Sequence, residues 1–126
     1  MVASSALPTA LVAGYNAFDA RIVRDALVRL GLGRIEAVAD GTAALAAMSS
    51  NLPDLLVVDW DVSKTPIDNV IASARKPGEA GPKIVLTMTA PTRRSVEEAK
   101  AMGVDSIVAA PFSPRAFMDR VPRLRG

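Results

Sequence analysis

Residues 55–58 read Leu-Leu-Val-Val, an apolar run too short for a helix and half β-branched. Such a run suits a strand covered on both faces, as in a parallel sheet. Asp59 follows at once, where the strand would emerge. The same kind of segment recurs along the chain. Residues 10–13 are a short apolar first strand. Residues 16–30 have helical spacing, with Phe18, Ile22, Val23, Ala26, Leu27 and Leu30 on one face. Gly31 and Gly33 can end that helix through a left-handed turn. Residues 35–39 predict a second strand, Asp40-Gly41 a turn, and residues 42–48 an alanine-rich helix. Pro53 precedes the third strand.

Residues 66–74 predict a third helix, with Pro66 in its first turn. Residues 77–82 are a loop and residues 84–87 a fourth strand. Residues 92–102 predict a fourth helix closed by Gly103. Ser95 and Glu98 have capping-box spacing and leave its start open by a few residues. Residues 106–109 are a fifth strand. Ser113-Pro114 reads as an N-cap and first helical position, with the last helix over residues 115–124. Five strands alternating with five helices force parallel pairing and a three-layer sandwich. The expected fold is α/β, a flavodoxin-like, doubly wound, five-stranded parallel sheet. No linker or repeat divides residues 1–126, so one domain is expected, with residues 1–9 as a loose leader.

Composition narrows the chemistry. Half of the 126 residues are hydrophobic but only 4% are aromatic, so the core is aliphatic. There is no cysteine and no histidine. Disulfides, thiolate chemistry, Cys-based zinc sites and every Ser-His or Cys-His arrangement are excluded. The net charge is +2, unevenly placed. Residues 1–81 carry seven basic and nine acidic side chains (−2), and residues 82–126 carry eight and four (+4). That excess is too small to point to nucleic acid. No apolar stretch spans a membrane and no basic start precedes one, so a cytoplasmic protein is expected.

The order of short motifs resembles the receiver domains of two-component signalling, the CheY-like family. Residues 19–24 (Asp-Ala-Arg-Ile-Val-Arg) fit its first helix, and Asp40-Gly41 with Ala43, Ala44 and Leu45 fit its second. Pro53-Asp54-Leu55 leads to Asp59 at the phosphoacceptor position. Thr87 matches the hydroxyl residue that contacts the phosphoryl group, and Pro111-Phe112 matches the family's Lys-Pro-Phe without its lysine. The resemblance covers nearly the whole chain.

The same match exposes departures. The family's acidic pair, which holds Mg²⁺, falls on Gly14 and Tyr15; Asn16 and Asp19 lie past the site in register. The family's lysine is Ala110. The aromatic switch residue of the fifth strand is Ile107, and the small residue after the threonine is Met88, which would crowd a phosphoryl oxygen. Removing the ion and the lysine takes away the main electrostatic stabilisation of phosphoryl transfer.

The expectation is an atypical pseudo-receiver that is not an enzyme and acts by protein contact, with weak or absent phosphorylation at Asp59. No cofactor is expected, and Mg²⁺ only if the site is active, through Asp59 and Asp61. The resemblance implies a histidine kinase or a downstream target as partner, through the face of the fourth helix, fifth strand and fifth helix. A homodimer through that face is also open. Arg93, Arg94, Arg115, Arg120 and Arg123 lie on or near it. Two alternatives stay open: a still phosphorylated phosphorelay receiver, and a module binding cyclic di-GMP through Arg115, Arg120, Arg123 and Arg125. Tyr15 either fills the lost metal site or offers an aromatic platform. Trp60, the one tryptophan, reads as a reporter near Asp59 or a surface contact.

Overall fold

A computed structural model describes residues 7–75 and 81–124. The expected leader up to residue 6, most of the loop at 77–82, and Arg125 lie outside the described residues. The elements run β1 (Thr9–Ala13), α1 (Ala17–Arg29), β2 (Arg34–Val38), α2 (Gly41–Ser50), β3 (Leu55–Asp59), α3 (Ile67–Ala74), β4 (Lys83–Thr89), α4 (Arg93–Ala101), β5 (Ser106–Ala110) and α5 (Pro114–Arg120). All strands are parallel, in the order β2-β1-β3-β4-β5. This is the expected α/β, doubly wound sheet.

Alternation along the three inner strands builds two cores. Leu11, Ala13, Leu56, Val58, Ile84, Leu86 and Met88 face α2, α3 and α4, meeting Ala44, Met48, Val70, Ile71 and Ala99. Ala10, Val12, Leu55, Val57 and Val85 face α1 and α5, meeting Val23, Ala26, Leu27 and Phe117. Residues 55–58 are buried on both sides, as their composition implied. The chain reverses its winding direction between β1 and β3, and the crevice beyond the carboxyl ends of these strands is where such sheets place their chemistry.

Local signals explain most element ends. Asn16, Asp40 and Ser113 each accept a hydrogen bond from the backbone three residues on, capping α1, α2 and α5. Gly31 and Gly103 take positive φ just beyond α1 and α4. The capping box of α4 is Thr92 with Ser95, not Ser95 with Glu98, so the helix begins at the earlier of the two starts.

Three expectations are corrected. Thr9 belongs to β1, so the leader does not extend that far. Phe18 and Leu30 are 72% and 40% exposed rather than core. The buried stripe of α1 is Val23, Ala26 and Leu27. Phe18 lies five residues before Val23, about 140° around the helix from it, and Leu30 caps the helix where its last turn runs out. The last helix stops at Arg120, not at residue 124. Pro122 disfavours helical backbone at Val121, which is extended at ψ 124°.

Phe117 is the largest fully buried side chain and packs on Phe112 at 5.5 Å between ring centroids. Truncating it would leave a cavity in the α1–α5 core. Phe117→Ala is expected to lower unfolding free energy by about 3–5 kcal/mol, read as a lower urea midpoint with an unchanged slope.

Candidate functional site

The end of β3 places Asp59 in register with Thr87 of β4. Partners in register point to the same face of a parallel pair, so the carboxylate and hydroxyl meet. Thr87 Oγ1 donates to Asp59 Oδ1 at 2.9 Å, and the Asp61 backbone N–H donates to Oδ2 at 3.0 Å. Thr87 is fully buried. Tyr15, just after β1, lies with its hydroxyl 2.7 Å from Thr87 Oγ1. A threonine hydroxyl has one proton. With that proton on the Asp59 carboxylate, the tyrosine is the donor, and the bonds run Tyr15 to Thr87 to Asp59.

Charge and burial set the protonation states. Burial is the largest influence on Asp59 and raises its pKa, and the Asp61 and Asp19 charges add to this. The Asp61 N–H and Thr87 hydroxyl pull the other way. Tyr15 is raised mainly by burial, opposed by its bond to Thr87 and reinforced by Asp59 and Asp19, so it stays a neutral phenol. Asp19 therefore bears on the site through its charge, although its carboxylate accepts from Asn16 at 3.2 Å. Its place past the site in register hid that effect in the sequence.

The remaining expected positions sort into those that meet and those that do not. Gly14 adjoins the site with φ at +92°, and a Cβ there would sit 3.0 Å from Val62 Cγ2. Val62, an apolar residue in an otherwise polar loop, is buried against that backbone. Sequence reasoning passed over it, although its polarity contrast with Asp61 and Ser63 was visible. Asp61 is exposed and gives Asp59 its backbone N–H, not a second carboxylate. Ala110 ends β5 and brings no charge. Lys64, in the loop after Asp59, lies 3.7 Å from Asp40. Met88 does not crowd the site. It is buried on the α2–α4 side, one residue out of phase with Thr87. Trp60 is half-buried, and its backbone N–H donates to the Thr87 carbonyl at 2.8 Å.

A divalent ion of the kind the resemblance implies does not fit these residues. Gly14 supplies no ligand, the phenol of Tyr15 is held on Thr87, and Asp61 turns its backbone N–H rather than its carboxylate to Asp59. Such an ion favours several oxygen ligands with at least one or two carboxylates. Among the described residues, no three His, Cys, Asp or Glu side chains gather as a metal site.

Away from Asp59, a groove of about 1060 Å³ lies over β5 between α4 and α5. Val96, Val104, Ile107, Phe112 and Ala116 give it apolar walls, and Lys100, Asp119 and Arg120 a polar rim. Ile107 is half-buried there, against the α2–α4 core. The arginines named from the sequence have separate local environments. Arg93 and Arg94 pair with Glu97 and Glu98 one turn on, at 3.5 and 3.6 Å. Arg120 donates to the Ile107 carbonyl at 2.9 Å, and Arg115 and Arg123 are exposed.

With the geometry established, comparison with known proteins gives a consistent result. No protein-family model matches the chain. Chemotaxis protein CheY of Pseudomonas aeruginosa is 28% identical over 105 residues, covering 82% of this chain and 85% of that protein. Among solved structures, chemotaxis response regulator CheY4 of Vibrio cholerae superposes with a TM-score of 0.79 at 20% identity, covering 90% of this chain and 94% of that one. A CheY-like response regulator receiver domain protein of Methanospirillum hungatei gives 0.76 at 16% identity, over 90% and 89%. At these identities the solved structures speak for the fold.

The raised Asp59 pKa has a consequence for stability. The folded chain binds this proton more tightly than the unfolded chain does. Stability therefore falls as pH rises from the usual carboxylate value of 3.8 through the raised folded value, and then levels off. Asp59→Asn removes the titration. Relative to that variant, the wild type is expected to lose urea resistance across this acidic window and to stay lower at neutral pH. A difference that does not change with pH contradicts the assignment.

Proposed function

We propose that this chain, which has the CheY-like receiver fold of two-component response regulators, is a pseudo-receiver that signals by protein contact without phosphorylation of Asp59. One observation carries the reading: the hydrogen-bonded run from Tyr15 through Thr87 to Asp59. It occupies the residues that a working site would turn toward an incoming phosphoryl group. Gly14 and Ala110 add no compensating charge, and the nearest lysine in the following loop is beside Asp40.

Phosphoryl transfer depends on positive charge placed where negative charge builds up. Here the groups around Asp59 are a neutral phenol, a hydroxyl and the carboxylates of Asp19 and Asp61. That environment opposes a dianionic adduct. For contact, the groove between α4 and α5 offers apolar walls with a charged rim, the anatomy of a docking surface. A kinase or a downstream protein is the class of partner that goes with this reading. Of the arginines that the nucleotide alternative would use, Arg120 is already held on the Ile107 carbonyl. Among the described residues no helix is long and apolar enough to cross a membrane. A cytoplasmic location goes with the proposal.

Intact-protein mass spectrometry after incubation with acetyl phosphate, with and without Mg²⁺, tests it. The expected outcome is no phosphoryl adduct in either condition. An Mg²⁺-dependent adduct that disappears in Asp59→Asn overturns the proposal.

A further inference from the structure

We infer that the Tyr15 hydroxyl is a built-in latch: by donating to Thr87 it holds that side chain on Asp59 and fixes the path of the chain from β4 into α4. This deepens the pseudo-receiver reading and takes its purpose from it, because a domain without phosphate needs another way to hold one arrangement.

The Thr87 side chain is fully buried, so its hydroxyl must find partners inside the protein. It has two, Asp59 at 2.9 Å and Tyr15 at 2.7 Å, from two different strand ends. The first bond ties β4 to β3 and the second ties β4 to the end of β1. Together they leave the hydroxyl no freedom to rotate. The Thr87 carbonyl is held as well, by the Trp60 N–H at 2.8 Å.

At the end of β4 the chain leaves the core. Thr89 and Ala90 are exposed, and Ala90 has φ at +50°, a conformation rarely taken by a residue with a side chain. Then α4 begins at Arg93, and Ala99 is its one buried residue. Val96 and Met102 are half-buried, and much of its outer face is Arg-Glu pairs. Exposed pairs of this kind add little to stability. The position of α4 therefore depends on the strand that leads into it. That strand also pairs Thr87 with Val108 and Leu86 with Ile107 on β5, so the latch reaches the floor of the groove.

Tyr15→Phe keeps the ring and removes the donor. The readout is amide hydrogen exchange of wild type, Tyr15→Phe, Thr87→Val, Thr87→Ser and the double variant Tyr15→Phe/Thr87→Val, with no phosphodonor present. The expected result is exchange about fivefold faster at Met88, Thr89 and Ala90 in Tyr15→Phe, the size of one lost net hydrogen bond. Amides of β1 and of residues 55–57 should keep their wild-type rates. Thr87→Val, which removes both bonds, should accelerate exchange there at least as much as Tyr15→Phe, the double variant should go no further than Thr87→Val, and Thr87→Ser should keep slow exchange. Unchanged exchange in Tyr15→Phe overturns the latch. So does acceleration spread evenly over the sheet, which marks a general loss of stability, and so does additivity of the two substitutions. The acetyl phosphate experiment on the wild type decides the pseudo-receiver reading separately. Exchange decides the latch whichever way that experiment falls.

Discussion

The register between β3 and β4 governs what the carboxyl end of the sheet can do. Ile84, Leu86 and Met88 enter the core beneath α2, α3 and α4, while Val85 enters the core beneath α1 and α5. That alternation leaves Thr87 opposite Asp59 and no other choice. A slip of one residue would turn the hydroxyl into one apolar core and bring Met88 beside the carboxylate. The polar contact at the site is thus set by aliphatic packing well below it. Hydrophobic burial supplies the specificity, and the hydrogen bonds take the positions it leaves them.

Electrostatics at this end of the molecule run against the carboxylate. Burial raises the Asp59 pKa, two further aspartates add to the effect, and its relief comes from an N–H and a hydroxyl rather than a cation. Tyr15 offers a dipole where a charge would do more. On the pseudo-receiver reading this is a coherent arrangement, because a site that receives no phosphate has no use for concentrated positive charge. The neutral phenol also fills volume that the low aromatic content of the chain leaves few other side chains to fill.

The fold was legible because each strand-and-helix unit carried its own punctuation. Asn16, Asp40, Thr92 and Ser113 mark helix starts, Gly31 and Gly103 mark ends, and Leu55 to Val58 announce a strand covered on both faces. Asp59 and Thr87 could be placed from the order of these units. Effects of three-dimensional neighbourhood could not be read in the same way. The contact of Tyr15 with Thr87 joins residues 72 apart in sequence. Asp19 acts at a distance through its charge, and Arg120 is drawn to a backbone carbonyl that no pattern predicts. Phe18 was misplaced because i,i+4 spacing to Ile22 says nothing about which side of the helix the sheet will cover.

The backbone at Gly14 ties the site to the packing around it. Its left-handed φ suits glycine, and Val62 occupies the space just outside its Cα. An aspartate placed at this position alone would meet both backbone strain and a buried methyl group. Val62 cut back first would open a gap beside the sheet, and Tyr15 replaced first would leave the Thr87 hydroxyl short of a partner. Each of these changes made singly is destabilising. On the pseudo-receiver reading, these contacts lock one another, so no single substitution would turn this end toward holding a metal without a loss of stability.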